Sequence, residues 1–288
     1  MGRNKRRNDQ FGSYAVVAPV ARGGVSDVYL AEHTVTRERV ALKVVDKSYL
    51  GHREVIDRLL AEHTISRRVR HPGLIDVHLA ERNVGGLPYI VMEFLDGENL
   101  GDLAERGPIE LDAVISIVGQ IAYAVAAMHA AGVVHCDLKP DNVVVLYETG
   151  PGGWPRIKVV DFGVARTVDE ESFEKELISG TPPYMAPEQW RGAPVTRSDV
   201  YSLGCLLYEL CTGDTPFSGT LPQLMTLHTE EMPARPTTHR GAVPAALERL
   251  IMRTLLKDAE MRPTMLDLAH ELSRMCSVHQ VADLDAVG

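Results

Sequence analysis

Little in this chain of 288 residues points toward a metal scaffold, redox chemistry or a membrane. Cysteine is scarce: Cys136, Cys205, Cys211 and Cys276 make no CxxC pair, so neither a zinc site nor a redox motif is indicated. Reduced thiols in the cytoplasm are the expectation. No uninterrupted run of about 18 apolar residues occurs, so no membrane span is read. The opening residues lack the apolar stretch of a signal peptide, and Arg6 stands where a myristoylation signal carries Ser or Thr. There is no internal repeat. Basic charge is in deficit, with 30 Lys and Arg against 39 Asp and Glu and a net charge of −9. A nucleic-acid binder normally presents a basic face, so nucleic acid is excluded as a partner. Arg3, Lys5, Arg6 and Arg7 read as part of a solvated, disordered tail.

What is present is an ordinary globular balance, 45% hydrophobic and 24% charged, in a length that suits one large domain or two closely packed lobes. β-Branched runs over 14–20, 25–33 and 39–46 predict strands, broken at Gly23-Gly24 and by a polar turn over 34–38. A helix is expected over 53–69, ended by His71-Pro72-Gly73. Strands follow over 75–81 and 88–93, then an acidic connector over 95–98. Beyond it, Val114, Ile117, Val118, Ile121, Val125 and Met128 recur at helical spacing up to Gly132. Further helices are expected over 198–211, 244–256 and 264–275, with short strands over 143–146 and 157–160. The implied fold class is α+β and bilobal: a small β-rich N-lobe with one helix, then a larger, mainly α-helical C-lobe. A ligand cleft is expected where the lobes meet.

Four segments carry chemistry. Ala21-Arg22-Gly23-Gly24-Val25-Ser26-Asp27-Val28 is a glycine turn between strands, either a plain hairpin or a loop whose N–H groups reach phosphate oxygens. Lys43, centred in an apolar strand, either snorkels from a sheet edge or pairs with a carboxylate and ligand phosphates, with Glu62 a suitable partner. His135-Cys136-Asp137-Leu138-Lys139-Pro140-Asp141-Asn142 and Asp161-Phe162-Gly163 are sharper. Asn142 and Asp161 offer the oxygen ligands that Mg²⁺ prefers. Asp137 can accept a proton from a hydroxyl nucleophile, and Lys139 can neutralise a phosphoryl group in transit.

In that order, these motifs resemble a eukaryotic-like (Hanks-type) protein serine/threonine kinase, including its bacterial branch, over almost everything from Tyr14 to Met275. The resemblance implies a tail over 1–12, a kinase domain over 13–276 (N-lobe to about 93, hinge 94–98, C-lobe 99–276) and a tail over 277–288. It implies ATP with Mg²⁺, or Mn²⁺ in its place, and protein substrates with Ser or Thr acceptors. Ala21, Gly23, Gly24 and Val28 would cover the phosphates, with Val28 and Ala41 as adenine roof and Val144 in the floor. Lys43 would hold the α- and β-phosphates with Glu62 as its partner. Met92 would be the gatekeeper, with Glu93 and Leu95 at the adenine edge. Asp137 would be the catalytic base, Lys139 the charge stabiliser, and Asn142 and Asp161 the metal ligands. Gly180-Thr181-Pro182-Pro183-Tyr184-Met185-Ala186-Pro187-Glu188 resembles the peptide-positioning segment, with Glu188 bridged to Arg262, and Asp199 would hold the catalytic-loop backbone. Lys139 after Leu138, and Thr181 set against Asp137 and Lys139, are as in the serine/threonine branch.

The chain departs from the family pattern in three places. Ala21 and Ser26 replace two glycines of the phosphate loop. Cys136 replaces the arginine that in many kinases receives an activation-loop phosphate, and 164–179 is itself acidic, with Asp169, Glu170, Glu171, Glu174 and Glu176. Activity is therefore expected not to depend on phosphorylation there. The stretch between Asn142 and Asp161 is long, read as an extended hairpin with an exposed Trp154. Competing classes are a nucleotide-responsive binding module without transfer activity and a small-molecule phosphotransferase. The intact polar set argues against the first and the 180–188 segment against the second.

Overall fold

Antiparallel pairing of β-branched strands builds the first of two compact units, which comprises Met1–Arg70, Ile75–Asp96 and Asp161–Gly163. The computed structural model describes residues 9–150, 153–162, 165–167, 180–239 and 243–285. Arg3, Lys5, Arg6, Arg7, Gly163, Asp169, Glu170, Glu171, Glu174 and Glu176, all named in the reading above, lie outside them.

Six strands, β1 (Gln10–Phe11), β2 (Tyr14–Arg22), β3 (Ser26–His33), β4 (Arg39–Val45), β5 (Val77–Arg82) and β6 (Pro88–Glu93), form one sheet in the order β1-β2-β3-β4-β6-β5. Its turns are set by residues that suit them. Gly86 adopts φ +77°, while the Asn83 side chain accepts the Leu87 N–H at 2.9 Å. The register decides which face each residue meets. Val28 pairs with Lys43, Leu30 and Met92 with Ala41, and Ile90 with Lys43, so these six share one face. The opposite face carries Phe11, Val16, Tyr29, Ala31, Val40, Leu42, Val44, Tyr89 and Val91 as a single buried cluster. Helix α1 (Arg53–Ser66) packs on β5 and β6.

Two expectations need correction here. The tail expected over 1–12 already pairs as a strand at Gln10–Phe11, because Phe11 is buried with its ring 5.3 Å from that of Tyr89. The connector expected over 95–98 becomes, at its end, strand β7 (Gly97–Asn99).

The second unit comprises His71–Leu74, Gly97–Val160 and Val164–Gly288. Helix α2 (Leu100–Glu105) is followed by α3 (Leu111–Ala130), then by strands β8 (Val133–Val134), β9 (Val143–Thr149), β10 (Pro155–Val159) and β11 (Arg166–Thr167). Helices α4 (Thr196–Thr212), α5 (Leu221–Glu230), α6 (Pro236–His239), α7 (Ala245–Thr254) and α8 (Met265–Asp285) complete it. β7, β9 and β10 form a small sheet, and β8 pairs with β11. Trp154, in the β9–β10 hairpin, is half-buried rather than exposed, and Gln120 of α3 donates to the adjacent Pro155 carbonyl at 2.8 Å.

Helix α3 is the core of this unit. All six of its periodic apolar positions are buried, as are Ile115, Ala122 and Ala124, and it packs against α8, β10 and α4. By length and composition alone α3 could cross a membrane. Truncating one such residue, Ile121→Ala, would cost about 2–5 kcal/mol. Gly132 at φ +72° ends the segment and Gly213 at φ +91° ends α4. The tail expected over 277–288 continues α8 as far as Asp285.

Candidate functional site

The site residues fall into two sets, one in each unit. In the first, Val28, Ala41, Lys43 and Met92 share the sheet face opposite the apolar cluster. Gly23 makes the preceding turn possible: its N–H donates to Ser26 O at 3.0 Å, and a Cβ there would stand 2.6 Å from that oxygen. Gly24 has open space around it, and Ala21 pairs with Val28 one position before the β2–β3 ladder ends at Arg22 and Asp27. Glu93 Oε1 accepts the Asp76 N–H at 2.7 Å, and Leu95 is half-buried.

Lys43 does not snorkel. Its Nζ donates to Glu62 Oε1 at 2.6 Å and to Asp161 Oδ1 at 2.9 Å, with 12% of the lysine side chain, 6% of Glu62 and 43% of Asp161 exposed. Burial would lower the Lys43 pKa, but Glu62 and Asp161 outweigh it and hold the ammonium above its ordinary range. Burial is the larger influence on Glu62 and pushes its carboxyl up, while Lys43 draws it back down. Asp161 sits at φ +68°, a conformation Asp tolerates better than most residues.

In the second unit, the segment from His135 to Asn142 gathers around Asp137. Thr181 donates its hydroxyl to Asp137 Oδ1 at 2.7 Å, and Lys139 Nζ donates to Thr181 Oγ1 at 2.8 Å. Lys139 also lies 3.3 Å from Asp137 Oδ2. Asn142 Nδ2 donates to the Asp137 carbonyl at 2.8 Å and to its Oδ2 at 3.1 Å. This fixes the amide orientation and turns its oxygen away from Asp137. Val144, half-buried on β9, pairs with Asn99 and Lys158. Asp199, buried at the start of α4, accepts the N–H groups of His135 and Cys136, each at 2.8 Å. Glu188 meets Arg262 through two contacts, at 2.7 and 3.0 Å. Burial alone would raise the Glu188 pKa, but the Arg262 hydrogen bonds prevail and lower it.

Sequence reasoning missed several supporting residues. His129 Nε2 reaches Asp199 Oδ2 at 2.7 Å. Ser198 donates to Glu188 Oε1 at 2.6 Å, and Gln189 donates to the Cys136 carbonyl at 2.8 Å. Apart from Gln189 standing next to the 180–188 segment, no local pattern marks them.

Each unit offers one hard oxygen donor of the kind a divalent ion takes: the half-exposed Asp161 carboxylate in the first and the Asn142 side-chain oxygen in the second. Among the described residues no group of three or more His, Cys, Asp or Glu side chains could hold a metal alone. Each donor is of the type that a hard divalent ion prefers.

The family model described as protein kinase domain matches residues 14–272. Serine/threonine-protein kinase Pkn1 of Myxococcus xanthus is 38% identical over 256 residues, covering 87% of this chain and 36% of that protein. Serine/threonine-protein kinase PknE of Mycobacterium tuberculosis is 35% identical over 260 residues, covering 89% and 45%. Serine/threonine-protein kinase PknB of Mycobacterium leprae is 34% identical over 264 residues, covering 88% and 42%. The chain thus spans between a third and a half of the length of these relatives.

Proposed function

This chain belongs to the protein kinase domain family, and from that membership we propose that it transfers the γ-phosphoryl group of ATP to serine or threonine hydroxyls of proteins, as a non-specific serine/threonine kinase. The observation that carries the reading is the Asp137–Thr181–Lys139 contact: a threonine hydroxyl lies between a carboxylate oxygen at 2.7 Å and an ammonium at 2.8 Å. The same two groups suit an incoming alcohol. Asp137 orients the acceptor hydroxyl and takes its proton as the oxygen attacks the γ-phosphorus, and the bond to the bridging oxygen of ADP breaks. Lys139 stabilises charge on the phosphoryl oxygens. Lys43, kept protonated by Glu62 and Asp161, holds the α- and β-phosphates. Asn142 and Asp161 hold the divalent ion, Mg²⁺ or Mn²⁺, which neutralises phosphate charge when bound. Val28, Ala41, Met92, Glu93, Leu95 and Val144 contact adenine, and the 180–188 segment seats the peptide. The kinase domain itself is proposed to run from about residue 13 to 276.

Three finer readings go with this one. Activity does not require activation-loop phosphorylation, because the residue before the catalytic aspartate is a buried neutral thiol, Cys136, rather than a guanidinium. Substrates carry basic residues near the acceptor, supported by a groove of about 640 Å³ lined by Asp102, Glu105, Asp141 and Glu209. The working compartment is the reducing cytoplasm, a reading supported by the scarcity of cysteine and the lack of any CxxC pair in the sequence.

The test is transfer of radiolabelled phosphate from ATP to a generic basic protein, with Asp137→Asn as control. Transfer by the native enzyme, reduced by on the order of 10²–10⁴-fold in Asp137→Asn, is expected. ATP binding without transfer in either protein would make it a binding module instead. Thr167→Ala, Ser172→Ala and Ser179→Ala, and phosphatase treatment, should each leave the rate intact; a large loss would remove the phosphorylation-independent reading.

A further inference from the structure

Cys136, immediately before Asp137, has φ +66°, a left-handed conformation that a Cβ disfavours. Left to itself, this residue would relax and carry Asp137 with it. It is held at both ends of its own peptide unit. Asp199 Oδ1 accepts its N–H at 2.8 Å, and Gln189 Nε2 donates to its carbonyl at 2.8 Å.

The second contact has another end. The Gln189 Oε1 accepts the Ala186 N–H at 3.0 Å, so one buried amide spans the residue before Asp137 and the segment that seats the peptide. The amide can face only one way, because the Cys136 carbonyl needs a donor and the Ala186 N–H an acceptor. The chain also passes this junction at a glycine. Gly180 has φ +130°, and a Cβ there would lie 3.0 Å from the Cys136 carbonyl oxygen and 3.3 Å from Gln189 Nε2. Backbone conformation, side-chain length and local space thus converge on the same clip.

We propose that Gln189 is a positioning residue for phosphoryl transfer, pinning the strained Cys136 carbonyl so that Asp137 is held in its working orientation and tying that orientation to the seating of the 180–188 segment. The proposal rests on the kinase reading above. It concerns alignment, so its loss lowers turnover and leaves ATP affinity alone.

Three variants and three measurements test it. Gln189→Met keeps the length and removes both contacts. Gln189→Glu keeps the acceptor for Ala186 and sets a carboxylate against the Cys136 carbonyl. The third adds Cys136→Gly to Gln189→Met, since glycine holds φ near +66° unaided. Each single variant should lose kcat by on the order of ten- to a hundred-fold with KM for ATP unchanged, and the double variant should regain most of that loss. Amide hydrogen exchange over 133–139 should be faster in Gln189→Met than in the native protein, with thermal melts reporting the global fold separately. Unchanged kcat in both single variants, or a loss that Cys136→Gly does not recover, would reduce Gln189 to ordinary packing. Should the native chain transfer no phosphate, the kinase reading fails. The exchange experiment still decides the clip: faster exchange supports it and identical exchange overturns it. If Gln189→Met does not fold, Gln189→Glu supplies the same comparison.

Discussion

Arg262 spends all five of its N–H donors inside the protein, two of them on the carboxylate of Glu188. Nη1 and Nη2 meet Oε1 and Oε2 at 2.7 and 3.0 Å, while the carbonyls of Leu256, Arg197 and Lys257 accept the other three. The guanidinium is 0% exposed, so its charge is tolerated only because every donor is met. Arg262→Met should therefore destabilise the protein by about 3–5 kcal/mol, since it strands Glu188 as a poorly matched carboxylate. Denaturant melts would show it. The double change with Glu188→Met should cost clearly less than the two single effects added together, and simple additivity would contradict this account of the pair.

Lys43→Met is expected to remove phosphate transfer and to reshape the pH dependence of folding. Without the ammonium, burial is left to push the Glu62 carboxyl up. The folded state then binds a proton more readily than the unfolded chain does, so stability is greatest at low pH and falls as pH rises through the elevated folded pKa. Adding Glu62→Gln should abolish that slope. A Lys43→Met protein whose stability tracks the native protein at every pH would count against the coupling.

His228 should make the native protein acid-sensitive. It is buried, with Nδ1 2.9 Å from the Tyr201 hydroxyl. Burial, and then the nearby Lys257 ammonium, lower its pKa from 6.5 to about 3. Between those values the unfolded chain takes up a proton that the folded state refuses, so stability is lost as pH falls from about 6.5 toward 3. Urea midpoints measured across that range should fall less steeply for His228→Gln than for the native chain.

Gly204 sets how closely α4 and α7 approach. A Cβ at this position would collide with the Thr254 hydroxyl. Gly204→Ala should lower stability by about 1–3 kcal/mol through overpacking, and Thr254→Ala in the same chain should restore part of it. A Gly204→Ala protein that melts at the native temperature would show that the helices can part without cost.

The pairing of Lys43 with Glu62 could be anticipated because both lie in elements with strong periodicity, a β-branched strand and an amphipathic helix. The Glu188–Arg262 and Asp199 contacts were legible only through family resemblance, since no local rule links positions so far apart. Gln10–Phe11 was missed because two residues show no alternation, and Phe11 is fixed only by Tyr89, distant in the chain. The start of helix α5 is written in the sequence itself. Thr220 and Gln223 form its capping box, with Gln223 Oε1 accepting the Thr220 N–H at 2.8 Å. The role of Gln189 depends on the conformation of Cys136, which appears only once the backbone is traced.

The apolar helix α3 has a consequence for how the chain is made. Its main partner, α8, begins only at Met265. At about 5–20 residues per second, ribosomal synthesis leaves on the order of ten seconds between the emergence of the two. Throughout that interval β10 and α4 can shield only part of the greasy stripe on the nascent polypeptide, so chaperone capture during translation should influence yield.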